Sequence, residues 1–208
     1  MPSLSGYRIY DTVEPCNYTG QKLIDAMKKI VDDHLIDNGK ELNLKGCCVG
    51  INGLSAILEN ESILAADLRR VNMGGNKIGD AGADLLARSE TMAKVKWLEM
   101  GGNDLGPEGV RALIRSPHLR KVKTLNFYRN WIRDEGAIIL AEENELDKLE
   151  EMDLAQNEIG DPGMLALSNS KRLPNLVAIS MDNNFGTREG REQARVGSLF
   201  SKLDSLNL

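Results

Sequence analysis

One asparagine returns at a fixed interval through most of the chain, and this repeat limits the possible folds more than any other feature. The interval is 27 residues, and the five copies are Asn76, Asn103, Asn130, Asn157 and Asn184. A glycine stands six residues after every copy, at Gly82, Gly109, Gly136, Gly163 and Gly190. An isoleucine or leucine stands two residues after each of the first four copies. Landmarks that share one period predict a tandem array of equal structural units, each stacked on the next.

The segment before each asparagine has the pattern LxxLxLxxN, in which valine, methionine, isoleucine and phenylalanine replace some leucines. The complete copies read LRRVNMGGN, VKWLEMGGN, VKTLNFYRN, LEEMDLAQN and LVAISMDNN. A degenerate copy, ELNLKGCCV, precedes them with Cys47 at the asparagine position, and LDSLNL begins another at Leu203. Alternating apolar residues predict a short strand in each unit, with every second side chain pointing inward.

A helix is predicted after each asparagine. Asp80, Asp134 and Asp161 suit the first turn of these helices, where a carboxylate accepts backbone N–H groups. Pro107 and Pro162 also fit there, because the missing N–H is harmless in the first turn. The recurring glycine is expected to let each helix approach the strand layer closely. A single unit cannot bury the apolar side of its helix, but stacked units can.

The five asparagines are predicted to be structural. Each is expected to lie inside the turn after its strand, with its amide hydrogen-bonding the backbone of its own unit and of the neighbouring one. A buried turn needs such partners, because an unpaired backbone group away from water costs about 1–3 kcal/mol.

This combination of spacing and residue types resembles the leucine-rich repeat family, and the trailing xIGDxGAxxLA is similar to the ribonuclease-inhibitor-like subtype. The resemblance covers residues 41–208, as repeats of about 27 residues. It implies an α/β fold, a right-handed solenoid shaped as a horseshoe. Parallel strands would line its concave face and helices its convex face.

The first 40 residues lack the repeat and are predicted to form an N-terminal cap, residues 1–40, continuous with the array. Apolar residues at three- and four-residue spacing predict a helix from Gly20 to Leu35 within it. Asn38 and Gly39 are expected to provide the C-cap and turn of that helix.

The array is expected to end with a helix from Arg191 to Lys202, whose apolar residues include Val196 and Phe200, and a final strand at residues 206–208. A last strand has an open edge, and open edges invite pairing. Three interpretations remain: the edge is short enough to be harmless in a monomer, two chains pair there as a homodimer, or the chain is part of a longer protein.

Composition narrows the classes of partner and location. The chain has 26 basic and 31 acidic residues, a net charge of −5, which argues against a nucleic-acid-binding surface. No apolar stretch is long enough for a membrane span, and no signal-peptide pattern opens the sequence, so a cytoplasmic location without membrane contact is expected. Cys16, Cys47 and Cys48 lack zinc-site spacing and are expected to be buried free thiols, although a vicinal disulfide is possible.

Strand side chains that point away from the helices have no packing role, so their identity indicates function. The predicted partner-binding residues are Arg70, Asn72, Trp97, Glu99, Asn126, Tyr128, Arg129, Glu151, Asp153 and Asp182. Trp97, Tyr128 and Arg129 are residue types enriched at binding hot spots, and they are expected within roughly 5–10 Å of one another. The carboxylates favour a partner with a basic, partly apolar segment.

The strands alone offer only about 380 Å² at a spacing of about 4.8 Å, less than the roughly 800 Å² that a standard interface buries on each partner. The binding surface is therefore expected to extend onto the rim formed by the residues that follow the asparagines. These are Lys77, Asp104, Trp131, Glu158 and Phe185.

No catalytic pattern is present. Neither His34 nor His118 has a nucleophile or metal-ligand pattern nearby in sequence, and no loop suits a phosphate or another cofactor. We therefore expect a non-catalytic module that binds a protein partner, without metal or cofactor. Three alternatives stay open: a regulator of a small GTPase, because relatives of the resembled family include GTPase-activating proteins; a bacterial effector or other host-facing interaction protein; and a scaffold that self-associates through its C-terminal edge.

Overall fold

The computed structural model describes residues 15–208, and residues 1–14 of the expected cap lie outside them. Within this range the chain forms one open sheet of eight strands in chain order. β1 pairs with β2 in antiparallel fashion, and every later neighbour is parallel. The strands are β1 (Leu35–Ile36), β2 (Glu41–Asn43), β3 (Arg70–Asn72), β4 (Trp97–Glu99), β5 (Thr124–Asn126), β6 (Glu151–Asp153), β7 (Ala178–Ser180) and β8 (Ser205–Asn207).

Helices form the second layer and connect successive strands, each long helix contacting the next. They are α1 (Gly20–His34), α2 (Gly50–Leu58), α3 (Glu61–Leu64), α4 (Gly79–Arg88), α5 (Pro107–Ile114), α6 (Arg133–Glu143), α7 (Asp161–Ser168) and α8 (Arg188–Arg195). Short 3-10 turns occur at Pro15–Asn17, Asp37–Gly39, Glu90–Met92 and Phe200–Lys202. Repeated strand and helix units around one parallel sheet form the α/β solenoid that the repeat predicts. Each unit of strand, turn and helix is called a coil below.

The strand register follows the sequence period. Val71 pairs with Leu98, and Leu98 pairs with Leu125, so equivalent residues of successive coils stand side by side. These central strand residues are buried against the helix layer, while their neighbours in the same strand are partly exposed on the other side. The core therefore lies between sheet and helices, and the opposite surface of the sheet, called the concave face below, is left open.

The N-terminal end differs from the prediction. α1 ends at His34, and Leu35 begins β1 instead of completing the helix. Asn38 and Gly39 lie in the turn of a hairpin between β1 and β2, with φ angles of 53° and 77°, so the expected helix C-cap is wrong. An Asn-Gly pair suits such a turn because both positions tolerate positive φ. The hairpin covers the edge of β2 that would otherwise be open.

α1 closes the first coil as expected of a cap helix. Leu23, Met27 and Val31 are its buried residues. The Met27 sulfur lies 2.7 Å from the position that a Cβ atom at Gly53 would occupy. The glycine of the degenerate repeat therefore provides the space in which α1 packs on α2.

The last predicted helix is too long. α8 ends at Arg195, and a separate 3-10 turn holds Phe200 in the core. Between them, the Leu199 N–H donates to the carbonyl of Ser168, and a Cβ at Gly197 would lie 2.5 Å from that carbonyl oxygen. Val196, predicted on the packed side, is 79% exposed. The close approach to the end of α7 breaks the helix here.

The helix-start aspartates bond to the following coil and not, as predicted, to their own helix. Asp80 accepts the N–H of Gly106 at 2.6 Å, and Asp134 accepts that of Gly160 at 2.7 Å. Asp161 accepts the N–H of Thr187 at 2.7 Å. Each carboxylate thus occupies the N-terminus of the next helix, where the helix dipole favours negative charge.

The same contacts explain three of the recurring glycines. A Cβ at Gly109, Gly163 or Gly190 would lie 2.4, 2.7 or 2.0 Å from a carboxylate oxygen of the preceding coil. The glycine therefore admits the neighbouring coil's aspartate, whereas the sequence had suggested close approach to the strand layer.

Candidate binding surface

The buried turn after each strand supports the surface. In Asn103 the side-chain N–H groups donate to the carbonyls of Met73 and Met100 at 2.9 and 3.0 Å. Its side-chain oxygen accepts the N–H of Asn76 at 3.0 Å. The other asparagines of the ladder make equivalent donor bonds, and all are buried except Asn184, which is partly exposed. Each coil is thereby joined to its neighbour just below the rim.

Cys47, at the asparagine position of the first coil, keeps only a weak counterpart of these bonds, from its sulfur to the carbonyl of Lys45 at 3.9 Å. It is half-buried, and its sulfur lies 3.7 Å from the Nε2 of His34 in α1. Burial raises the pKa of the Cys47 thiol. The following coil stabilises this turn instead: the N–H of Val49 donates to the side-chain oxygen of Asn76 at 3.1 Å.

The middle residues of the strands have a backbone role that the sequence analysis missed. Asn72, Glu99, Asn126 and Asp153 each accept the N–H of the residue two positions ahead, at 3.0, 2.6, 2.7 and 2.9 Å. Short polar side chains commonly stabilise turns in this way. These predicted partner-binding residues are therefore held in place on the concave face before any partner arrives.

The middle residues of the strands form a row that includes the carboxylates of Glu99 and Asp153. Burial raises the pKa of Glu99, and the charge of Asp153 raises it further, against the Gly101 hydrogen bond and nearby Lys45. Burial also raises the pKa of Asp153, with a contribution from Asp182. Because each carboxylate is partly desolvated and close to another, a cation brought by a partner would be stabilised here.

At the start of the strands, the structure brings two predicted residues together. The Arg70 guanidinium lies over the Trp97 ring at 4.3 Å from its centroid, and it also faces Glu41 at 3.5 Å. Trp97 is partly exposed and, with Asn126, lines a depression of about 210 Å³. The pair forms a flat cationic and aromatic surface.

Trp97 and Tyr128 do not lie as close as predicted. Trp97 pairs with Thr124, and Tyr128 stands four residues further along that coil. At about 3.3 Å per residue this separates them by roughly 13 Å along the strand direction. Tyr128 and Arg129 instead line a second depression of about 310 Å³ with Glu99, at the other end of the strands.

The rim carries the most exposed aromatic residues of this surface. Trp131 is 49% and Phe185 67% exposed. Both line a depression of about 760 Å³ together with Arg129 and Glu158. Since Arg129 also lines the depression beside Tyr128, rim and concave face form one continuous surface.

The histidines of the described chain, His34 and His118, belong to no metal-binding cluster. The His34 ring contacts the Ile30 carbonyl and Cys47, and no cluster of histidine, cysteine or acidic residues in residues 15–208 could hold a metal ion. Over the same range, no helix has the length and apolar character that crossing a membrane requires.

Comparison with protein families agrees with this geometry. The family model for the leucine-rich repeat matches five segments that together span more than half of the chain: residues 40–58, 66–87, 92–113, 118–141 and 147–168. The chain is a leucine-rich repeat protein. Each matched segment contains one parallel strand and all or most of the helix after it. No curated protein matches the sequence. Leucine-rich repeats generally act as protein-interaction modules and are typically non-enzymatic scaffolds.

In this leucine-rich repeat protein, β7 and β8 lie beyond the matched segments yet continue the same sheet register, and α8 packs against α7. Asp182 lies two residues beyond Ser180, the strand partner of Asp153, and so stands in the row of Tyr128 and Ala155; its charge still acts on Asp153. The exposed Glu151 accepts a hydrogen bond from Thr124 at 3.4 Å and lies in the row of Arg70 and Trp97. The predicted residues thus divide into an Arg70–Trp97 group and a Glu99–Tyr128–Arg129 group at opposite ends of the strands.

Proposed function

We propose that this protein binds a protein partner through its concave face and the adjoining rim, without catalysis. The observation that carries the proposal is the continuity between the exposed aromatic rim at Trp131 and Phe185 and the acidic row that includes Glu99 and Asp153. Exposed aromatic side chains beside partly desolvated charges are typical of binding hot spots.

The partner we propose carries a basic, partly apolar segment. Its cationic side chains would face the carboxylates of the concave face, and its apolar side chains would fill the depression beside Trp131 and Phe185. Contact with the rim is needed because the concave face alone is smaller than a standard interface.

We also propose that the repeats are of the ribonuclease-inhibitor-like subtype and that the protein is a cytoplasmic monomer. We further propose that residues 1–40 form a cap continuous with the array and that nucleic acid is not a ligand. The net charge of −5 supports the last point.

Two double variants test the surface by capture from a lysate of the source organism. Trp97→Ala with Tyr128→Ala removes the aromatic residues of the concave face, and Trp131→Ala with Phe185→Ala removes those of the rim. The matched control is Leu64→Ala with Val196→Ala, because these side chains are 61% and 79% exposed elsewhere. We expect wild type and control to capture the same protein, and both surface variants to lose it.

Each variant must also keep its thermal unfolding midpoint. An exposed cation–π contact such as Arg70–Trp97 contributes only about 0.5–1 kcal/mol, so the Trp97 and Tyr128 substitutions should barely destabilise the fold. A loss above about 2 kcal/mol would identify these residues as packing residues. Capture by every variant alike would place the site elsewhere on the molecule.

Self-association is a second candidate, favoured by one observation. β8 pairs only with β7 in the described structure, so its other edge is open. A self-associating scaffold should show a concentration-dependent mass near twice 22.9 kDa.

The other two alternatives have different tests. A regulator of small GTPases should accelerate GTP hydrolysis by members of a GTPase panel, and a partner found only in another organism would favour the effector alternative.

A further inference from the structure

Two cysteines far apart in sequence meet at the N-terminal end of the solenoid. The sulfur atoms of Cys16 and Cys48 lie 2.6 Å apart, across a separation of 32 residues. Cys16 belongs to the 3-10 turn Pro15–Asn17, which packs against both α1 and α2. Cys48 lies in the turn between β2 and α2.

The backbone around the pair accommodates this approach. Gly50 begins α2 with a φ of 61°, and a Cβ there would lie 2.9 Å from the Cβ of Cys16. Cys48 itself has a φ of 50°, in the left-handed region that residues other than glycine rarely adopt. The positive φ angles recur in the next coil at Lys77 and Gly79, so the backbone of this turn follows the repeat, and the missing side chain at Gly50 leaves room for Cys16.

The third cysteine, Cys47, contacts other groups than this pair. The Cys47 sulfur contacts the Nε2 of His34 at 3.7 Å and the carbonyl of Lys45 at 3.9 Å. The expectation of three buried thiols is therefore wrong: all three cysteines are partly exposed, and the structure pairs Cys48 with Cys16 rather than with its sequence neighbour.

We propose that Cys16 and Cys48 are a site of reversible oxidation, forming an intramolecular disulfide when the protein meets a small disulfide such as oxidised glutathione. The bond fastens the Pro15–Asn17 turn to the first coil. Sulfur atoms at 2.6 Å need to move only slightly to reach the disulfide bond length of about 2.05 Å.

The reaction balances in two exchange steps. The thiolate of one cysteine attacks a sulfur of oxidised glutathione, forms a mixed disulfide and expels one glutathione thiolate, which takes up the proton that the cysteine lost. The second cysteine, as thiolate, attacks the protein sulfur of the mixed disulfide and expels the second glutathione in the same way. Overall, two protein thiols lose two electrons and two protons, and one oxidised glutathione becomes two reduced glutathione molecules.

The bond closes a loop that contains α1, the β1–β2 hairpin and the start of the turn after β2. Opening of α1 away from α2 then requires the closed loop to move as a whole, because the cross-link restricts the opened chain. We expect amide hydrogen exchange in α1 to slow by at least about tenfold after oxidation. Exchange in α5 and α6 should not change, since solenoid coils contact only their neighbours.

The test treats the folded full-length protein with oxidised glutathione, quenches it with acid and measures intact mass and cross-linked peptides. We expect the loss of two hydrogens and a Cys16–Cys48 peptide that disappears on return to reduced glutathione. The Cys47→Ser variant should keep the cross-link, while Cys16→Ser and Cys48→Ser should lose it and retain a single glutathione. The peptide map of the wild type stands even if a variant folds poorly.

Three results would overturn the proposal. They are a Cys47–Cys48 cross-link, a stable glutathione adduct on the wild type without an internal disulfide, and no reaction of the folded protein. Unchanged exchange in α1 after complete oxidation would overturn the assigned effect on the first coil.

Discussion

At the scale of single residues, Asn130 shows how one side chain holds two coils together. Its oxygen accepts the N–H groups of Asn103 and Leu105, both at 3.0 Å. Its nitrogen donates to the carbonyls of Met100 and Phe127 at 3.1 and 2.9 Å. With a longer bond to the Tyr128 carbonyl at 3.4 Å, five backbone groups of two neighbouring coils thus depend on one amide.

Asn130→Ala should therefore destabilise the protein, because buried donors and acceptors are left without partners. We expect a loss of about 3 kcal/mol in the free energy of unfolding, since each unpaired group costs about 1–3 kcal/mol and water can reach some of them. Urea denaturation measures the loss. Asn52→Ala, at an exposed position of α2, is the control and should change stability little. A loss below about 1 kcal/mol for Asn130→Ala would contradict the ladder's role.

Glu99 gives a prediction about pH. Its folded-state pKa lies above the ordinary value of 4.5 because burial disfavours the charged form. Between these two values the folded protein binds more protons than the unfolded chain, so this group makes stability fall as pH rises, and the penalty is fully present above the folded pKa. Glu99→Gln should remove the penalty while keeping an oxygen for the Gly101 N–H.

We expect Glu99→Gln to be more stable than wild type at pH 7, and the difference to shrink as pH falls towards 4.5. Denaturation across this range measures it, with Glu142→Gln at an exposed position of α6 as control. A difference that grows on acidification would contradict the assignment.

Asp67 acts in the opposite sense. Hydrogen bonds from Lys94 and Arg69 lower its pKa to about 2, so the stability that its charged form contributes is lost only at more acidic pH.

At the scale of elements, helix spacing depends on the contact between an aspartate and a glycine of successive coils. A Cβ at Gly190 would lie 2.0 Å from one carboxylate oxygen of Asp161 and 2.7 Å from the other. That carboxylate accepts both the N–H and the hydroxyl of Thr187, each at 2.7 Å, at the start of α8. Glycine is therefore needed at position 190 of α8 despite its poor helix propensity, because a larger residue would displace the Asp161 carboxylate from the start of the helix.

Gly190→Ala should destabilise the protein although alanine is favoured over glycine by about 1 kcal/mol within a helix. In an Asp161→Ala background the carboxylate is absent, so the same substitution should cost much less or become stabilising. A double-mutant cycle of unfolding free energies measures the coupling. Additive effects of the two substitutions would show that the glycine is required for another reason.

At the scale of the whole molecule, each coil is supported only by its neighbours, so stability should vary along the solenoid. β8 has one paired edge, and Asn184 is partly exposed while Asn103 and Asn157 are fully buried. The central coils have neighbours on both sides. The C-terminal coil is therefore the part that should open most easily.

Hydrogen exchange tests this gradient. We expect amides of α8 and β8 to exchange at least about tenfold faster than those of α5 and α6, because local opening at an end breaks one coil interface and central opening breaks two. Uniform protection along the array would indicate that the solenoid opens as one cooperative unit.

The sequence by itself determined the repeating architecture. The asparagine period, the alternation around residues such as Val71 and Leu98, and Pro107 at the first position of α5 each encode local structure, and every coil repeats it. Local periodicity also identified the outward strand residues, because the strand alternation places them on one face. Most of the candidate surface could be predicted for that reason.

Contacts between coils were decided only by the tertiary structure. The bond from Asp80 to Gly106, the stacking of Arg70 on Trp97 and the meeting of Cys16 with Cys48 join residues whose distance depends on how coils stack. The same stacking separates Trp97 from Tyr128. A repeat period shows which residues are equivalent in successive coils. Which side chains touch depends on the offset between neighbouring coils, and that offset is set only when the helices and strands pack.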